Sequence, residues 1–209
     1  DGSKSPENDV KIETYFWDFG DGIRESGAKK SHIYAFPGKY TVSLTVKDNG
    51  VTNCNRNEVS KTIWVNTAPV ASYESVLKAA INEPISFDAS QSIDTDGDIV
   101  NYDWNFGDGQ TLNGQSASKS FKKSGLYEVS LVITDNASVS NSQHRISKKI
   151  FINEPPKPKF SLPKVVAAND VVILDAKESS DKDGTIIRYL WLAENEQKQT
   201  SQAEHRFEN

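Results

Sequence analysis

Tyr102-Asp103-Trp104-Asn105-Phe106-Gly107-Asp108-Gly109 decides the reading of this chain, because it is one of three copies at a fixed spacing. A spacing of 87 residues separates it from Tyr15-Phe16-Trp17-Asp18-Phe19-Gly20-Asp21-Gly22 and from the looser Tyr189-Leu190-Trp191-Leu192-Ala193-Glu194. In a strand, alternate residues share a face, so Tyr102, Trp104 and Phe106 point together, as do Tyr15, Trp17 and Phe19. Each copy therefore carries its own aromatic core. Gly107-Asp108-Gly109 supplies the positive-φ positions of a tight turn. These residues are architecture rather than a ligand platform. A tandem array supplies length, spacing or repeated weak contacts, and seldom one catalytic pocket.

Outward from the anchors, the same offset lays residues 1–66 on 88–153 without a gap. Gly38-Lys39-Tyr40-Thr41-Val42 matches Gly125-Leu126-Tyr127-Glu128-Val129, and Lys61-Thr62-Ile63-Trp64-Val65-Asn66 matches Lys148-Lys149-Ile150-Phe151-Ile152-Asn153. The boundaries carry proline, in Asn66-Thr67-Ala68-Pro69 and Asn153-Glu154-Pro155-Pro156. Proline restricts its own φ and keeps the preceding residue extended, so these segments are expected to be short, semi-stiff joints. Three repeats follow: 1–66, 67–153 and 154–209. Only the middle one is whole. The first begins at the counterpart of residue 88, and the third stops just past the counterpart of Phe121. Both are expected to expose strand edges.

Tyr40, Val42, Leu44 and Val46 alternate with polar residues, and Tyr127, Val129, Leu131 and Ile133 repeat the pattern. Ile85 and Phe87 do so more briefly, as do Val172 and Leu174. No helical period appears. Short strands separated by Gly- and Asp-rich turns imply an all-β, two-sheet sandwich. A hydrophobic content of 36% suits several thin cores rather than one large one.

The balance of 24 basic and 29 acidic residues, with no basic run, argues against nucleic acid as a partner. No apolar stretch is long enough to span a membrane. The chain opens on Asp1 and contains no Met, so it is expected to be a processed piece of a larger parent with flanking domains. The lone Cys54 cannot make an internal disulfide and reads as a neutral loop residue.

Residues 1–153 resemble PKD (polycystic kidney disease) domains. The resemblance rests on Trp17-Asp18-Phe19-Gly20-Asp21-Gly22, His32-Ile33-Tyr34, Pro37-Gly38-Lys39-Tyr40 and Val46-Lys47-Asp48. In the middle repeat it rests on Asp94-Thr95-Asp96-Gly97, Trp104 through Gly109, Gly125-Leu126-Tyr127 and Thr134-Asp135-Asn136. It implies tandem immunoglobulin-like (PKD-type) β-sandwiches, with terminal copies truncated. The third repeat fits more loosely. It keeps Asp181-Lys182-Asp183-Gly184, Trp191 and His205-Arg206-Phe207, but sets Glu194-Asn195-Glu196 where the Gly-Asp-Gly turn stands.

Asp94-Thr95-Asp96-Gly97-Asp98 is the chemical cluster worth weighing, since alternate carboxylates are the hard oxygen donors calcium takes. PKD-like domains of bacterial collagenases bind calcium at a similar loop. The resemblance carries that role to Asp94 and Asp96, with Asp135 as a third carboxylate; the match near Asn66 and Thr67 is too loose to count their backbone oxygens as further donors. Aspartate also caps turns without metal, so a plain turn remains the competing reading. In the third repeat Asp181 and Asp183 make an incomplete set. The first repeat has Glu7-Asn8-Asp9 and Val10 there, and no site is assigned to it.

Catalysis finds no motif. His32 and His205 stand at equivalent positions before an aromatic, which suits a structural role, and no nucleophile elbow, metal-binding helix motif or phosphate loop is present. Asp18 and Asp21 could mimic an acid/base pair, but the turn accounts for them. Trp64 and Phe151 occupy one place on the last strand, out of phase with its core face, and Phe16 and Leu190 break the outward polar pattern at another. Such aromatics suit ligand contact, or packing at a junction. The expected function is a non-catalytic, extracellular or cell-surface spacer that contacts a protein or polysaccharide, with weak contacts summed across copies. Two alternatives stand beside it. One is an accessory substrate-binding segment of a secreted hydrolase (protease or chitinase). The other is a structural subunit that assembles through its incomplete terminal repeats. Calcium is the only cofactor suggested.

Overall fold

The computed structural model describes residues 11–50, 55–167, 170–193, 196–198 and 202–206. Cys54, the Glu7–Val10 segment, Glu194, Asn195 and Phe207 lie outside them. Every regular element among the described residues is a strand. The first repeat contains β1 (Ile12–Asp18), β2 (Arg24–Ser26), β3 (Gly38–Asp48) and β4 (Arg56–Val65), in one sheet of order β2-β1-β3-β4. The middle repeat runs through β5 (Lys78–Ala80), β6 (Pro84–Asp88), β7 (Ile99–Asn105) and β8 (Thr111–Asn113). It continues with β9 (Ser116–Ser120), β10 (Gly125–Asp135) and β11 (Gln143–Asn153). Its sheets are a five-stranded β5-β11-β10-β7-β8 and a two-stranded β6-β9. The third repeat holds β12 (Val171–Asp175), β13 (Trp191–Ala193), β14 (Glu196–Lys198) and β15 (Gln202–Arg206), paired as β12-β15 and β13-β14.

The chain divides into two compact units. One joins residues 1–70 to Ile93–Val100 and Ile133–His144; the other holds Ala71–Ser92, Asn101–Val132 and Arg145–Asn209. The joint residues Asn66 and Thr67 thus belong to the same unit as the aspartate loops of the middle repeat.

Trp104 is fully buried and forms the centre of the middle core. Tyr73 meets it edge-on at 5.1 Å between ring centroids, and Phe87 on β6 lies at 5.6 Å. The indole N–H donates to the Gly114 carbonyl at 2.8 Å, so this large group is buried without an orphaned donor. The Tyr73 hydroxyl donates to the Val129 carbonyl at 2.9 Å, and burial pushes its pKa up to about 12. Trp17 repeats the indole bond, to the Gly27 carbonyl at 2.9 Å, but is only half-buried. In the third repeat Trp191 packs edge-on against Phe160 and against buried Val172 and Leu174.

The turn after the Trp strand works as the sequence implies. Gly107 (φ 74°) and Gly109 (φ 87°) take left-handed conformations. A Cβ on Gly107 would also meet the Glu128 carbonyl oxygen at 2.8 Å, so glycine is required there twice over. The strand register differs in the third repeat. Trp104 pairs with Leu112, whereas Trp191 pairs with Lys198, a hairpin one residue shorter. Ile85 consequently faces Lys119, while Val172 faces His205. His32, Lys119 and His205 thereby occupy one position in the three repeats.

Candidate functional site

The loop Asp94–Asp98 lies beside the end of β10 and the joint at Asn66-Thr67. Asp135 is 2% exposed. Its carboxylate accepts the Asn66 side-chain N–H at 2.9 Å and the Ala137 backbone N–H at 2.8 Å. Burial alone would push its pKa up, but these donors and the Ser142 hydroxyl outweigh burial and hold the carboxyl below its ordinary value. Asp96 accepts the backbone N–H of Thr67 at 2.9 Å. Neighbouring joint residues therefore tie Asp135 and Asp96 separately. Asp94 accepts the Asp96 N–H through Oδ1, while its Oδ2 is buried and has no hydrogen-bond partner. A Cβ on Gly97 would lie 3.0 Å from that Oδ2 and 2.6 Å from Asn136 Oδ1. Two side-chain oxygens thus close over Gly97, and a Cβ there would have to displace them.

Among the described residues, no group of three or more His, Cys, Asp and Glu side chains stands together ready to hold a metal ion. What the structure brings together is a network of carboxylates, amides and backbone N–H groups. The sequence match near Asn66 and Thr67 is too loose to assign their backbone oxygens to this site. The structure instead uses the Asn66 amide and the Thr67 N–H, with the Asn66 carbonyl accepting from the Asn141 side chain at 3.0 Å. Asn136 was legible only as part of the Thr134-Asp135-Asn136 motif, and Asn141 was not singled out. Their signal was adjacency to Asp135 in a short loop rich in Asn and Ser.

The second joint repeats the first. Asp183 accepts the Glu154 backbone N–H at 3.0 Å, as Asp96 does that of Thr67. Asp183 Oδ1 is buried and unpartnered, and Asp181 accepts both the Asp183 and the Gly184 N–H. The second aspartate of each Asp-x-Asp-Gly loop fastens the backbone of the preceding joint.

Asp18 and Asp21 are held elsewhere. The Gly20 N–H and Arg24 keep the Asp18 pKa low. Burial raises that of Asp21, but the Ile23 N–H and His32, 2.6 Å away, more than offset it. A general acid needs the opposite shift. The His32 ring stacks on Phe19 at 4.2 Å and meets Tyr34 edge-on at 4.7 Å. In the middle repeat Lys119 takes its place, pairing with Asp108 at 2.7 Å over the rings of Phe106 and Phe121. His32 thus ties the first Gly-Asp-Gly turn to the segment between β2 and β3, and Lys119 ties the middle one to β9. Trp64 stands 68% exposed, with the Lys39 ammonium 5.2 Å from its ring centroid. Phe151 is half-buried, beside the parallel strand β5 at Lys78.

These features define an immunoglobulin-like β-sandwich repeat whose acidic groups are built into turns and joints. The family model described as PKD domain matches residues 1–63 and again 66–150, and the chain belongs to the PKD domain family. Collagenase ColA of Clostridium perfringens is 34% identical over 140 residues, which are 64% of this chain and 12% of that protein. Pre-pro-metalloprotease PrtV of Vibrio cholerae is 29% identical over 132 residues, 63% of this chain and 14% of that protein. The chain thus spans about an eighth of these curated relatives. Among solved structures, the PKD1 domain of Vibrio anguillarum Epp is 31% identical with a TM-score of 0.37, covering 43% of this chain and 99% of that domain. The PKD1 domain of PrtV is also 31% identical, with a TM-score of 0.36, covering 41% and 98%. No helix among the described residues is long and apolar enough to cross a membrane.

Proposed function

We propose that this chain is a non-catalytic, extracellular array of PKD-type sandwiches, an accessory segment that holds a larger exported protein against a polymeric substrate. The observation that carries the reading is the use made of the polar side chains. The carboxylates and His32 described above are committed to turns and joints, whereas Trp64 stands exposed on β4 with the Lys39 ammonium near its ring. The matched segments of a collagenase and a pre-pro-metalloprotease support an accessory place in such an enzyme, with collagen as one candidate substrate. Sedimentation with insoluble collagen tests this. The chain should pellet with the fibre and release no soluble peptide, and Trp64→Ala with Phe151→Ala should weaken pelleting. Peptide release by the chain alone would refute the reading.

Calcium at the first joint belongs to the same proposal. Hard carboxylate and amide oxygens fit the ion, and the buried, unpartnered Asp94 Oδ2 beside Asn136 Oδ1 is the feature that asks for one. Asp94, Asp96 and Asp135 would hold it, and bound calcium would neutralise their charge. Melting of the chain in chelator and in millimolar calcium is the test, because a ligand of the native state alone raises its stability. The rise should vanish in Asp94→Asn/Asp96→Asn. Equal melts in both buffers would leave the loop a plain turn.

A further inference from the structure

The outer face of the first repeat's sheet carries two aromatics that its core does not use. Phe16 on β1, 43% exposed, lies between Ser26 on β2 and Thr45 on β3. Trp64 on β4 faces Lys39 on β3. Thr45 and Lys39 are an even number of residues apart on one strand, so both aromatics project from the same side. Their levels on β3 are roughly 20 Å apart at about 3.4 Å per residue. Thr41, Ser43, Ser60 and Thr62 pave the floor between them with short hydroxyls. The region around Phe16 is a broad open hollow of about 580 Å³ rather than a closed pocket.

This face also carries a surplus of positive charge. Arg24, Lys39, Lys47 and Arg56 lie on it, against two carboxylates, Asp18 and Glu58. Asp18 is paired with Arg24 at 2.7 Å and Glu58 with Arg56 at 3.7 Å. Among the described residues Lys39 and Lys47 have no carboxylate partner. The face is therefore positive on a chain whose net charge is −5. The same face of the middle repeat sets Asp103 and Glu128 against Lys78, Arg145 and Lys149, a smaller surplus. There the counterpart of Phe16 is Asp103, held by Asn101 and Asn113. The first and middle repeats both match the same family model, so this difference is not required by folding.

We infer that the outer β2-β1-β3-β4 face binds an extended anionic polysaccharide. Aromatic faces accept the C–H faces of sugar rings, hydroxyls pair with hydroxyls, and the surplus ammonium groups meet carboxylate or sulfate. A flat hydroxyl floor offers no apolar groove for a peptide helix or for strand side chains. Two platforms so far apart select a polymer over a single sugar. The inference rests on the reading of the chain as a binding module and names one ligand for it.

Affinity electrophoresis of the whole chain tests it, through gels containing polygalacturonate, neutral dextran or gelatin. The expected result is retardation by polygalacturonate and none by dextran. Phe16→Ala and Trp64→Ala should each weaken retention about tenfold, and Lys39→Gln/Lys47→Gln should weaken it while keeping both aromatics. Added salt should reduce it further. Circular dichroism of each variant establishes that these surface changes leave the strands intact. Free migration through polygalacturonate, equal retardation by dextran, or retention that survives the variants overturns the inference. Retention by gelatin alone would overturn it and leave the binding-module reading standing; free migration in all three gels would count against both.

Discussion

Replacing Trp104 by Ala distinguishes an aromatic that builds the sandwich from one that grips a ligand. Trp104 is fully buried, touches Tyr73 and Phe87, stacks near Phe106 at 6.4 Å and satisfies the Gly114 carbonyl. Truncating such a residue costs about 3–5 kcal/mol through lost burial and the cavity left behind. For a domain of this size each kcal/mol lowers the melting temperature by roughly 4–8 °C, so a fall of about 15 °C or more is expected in the middle repeat's transition. Trp104→Phe keeps most of the ring but strands the Gly114 carbonyl, at a cost of about 1–3 kcal/mol. Trp17→Ala removes the same indole bond from a half-buried site and should cost less. Calorimetry of the whole chain reads all three. A loss below about 1 kcal/mol for Trp104→Ala, or a larger loss for Trp17→Ala, would refute the reasoning.

Tyr73→Phe should cost about 1–3 kcal/mol by denaturant titration, because it leaves the Val129 carbonyl without its donor. The third repeat already has Phe160 at the equivalent position. Acid should destabilise the chain in a defined direction. The folded pKa values of Asp135 and Asp108 lie below their ordinary values, so their contribution is complete above about pH 4 and is lost as pH falls through the folded pKa. Asn66→Ala removes one of the donors that lower Asp135 and should flatten that acid limb in melts between about pH 6 and 2, roughly two units either side of the ordinary carboxylate pKa. Gly97→Ala must displace Asn136 or Asp94 and should lower the melting temperature, by about 1–3 kcal/mol of overpacking.

The 87-residue offset made much of this fold legible. β1 and β7 coincide under it, as do β2 and β8, β3 and β10, and β6 and β12. The period-two runs and the Gly-Asp-Gly turn state local physics that tertiary packing does not override. What stayed hidden depends on contacts across the chain. β5 has three residues and no period, and only its parallel pairing with β11 defines it. The third repeat's tighter hairpin shows only in strand register, since residues alone do not say where a deletion falls. At the joint, Asp96 and Asp135 were legible as acids, but their partners were not. An Asn side chain 69 residues away reaches Asp135, and a backbone N–H 29 residues away reaches Asp96. Lys119 standing where His32 stands was visible in the alignment, yet its pairing with Asp108 over two rings needed the structure.

The central claim is that this array binds without performing chemistry. Its most direct test incubates the purified chain with labelled insoluble protein fibre and labelled polysaccharide, and counts both the chain retained and the label released. The account expects retention that falls when the exposed aromatics are removed, with release no greater than in buffer. Release above buffer that persists through purification and is abolished by one point substitution would contradict it.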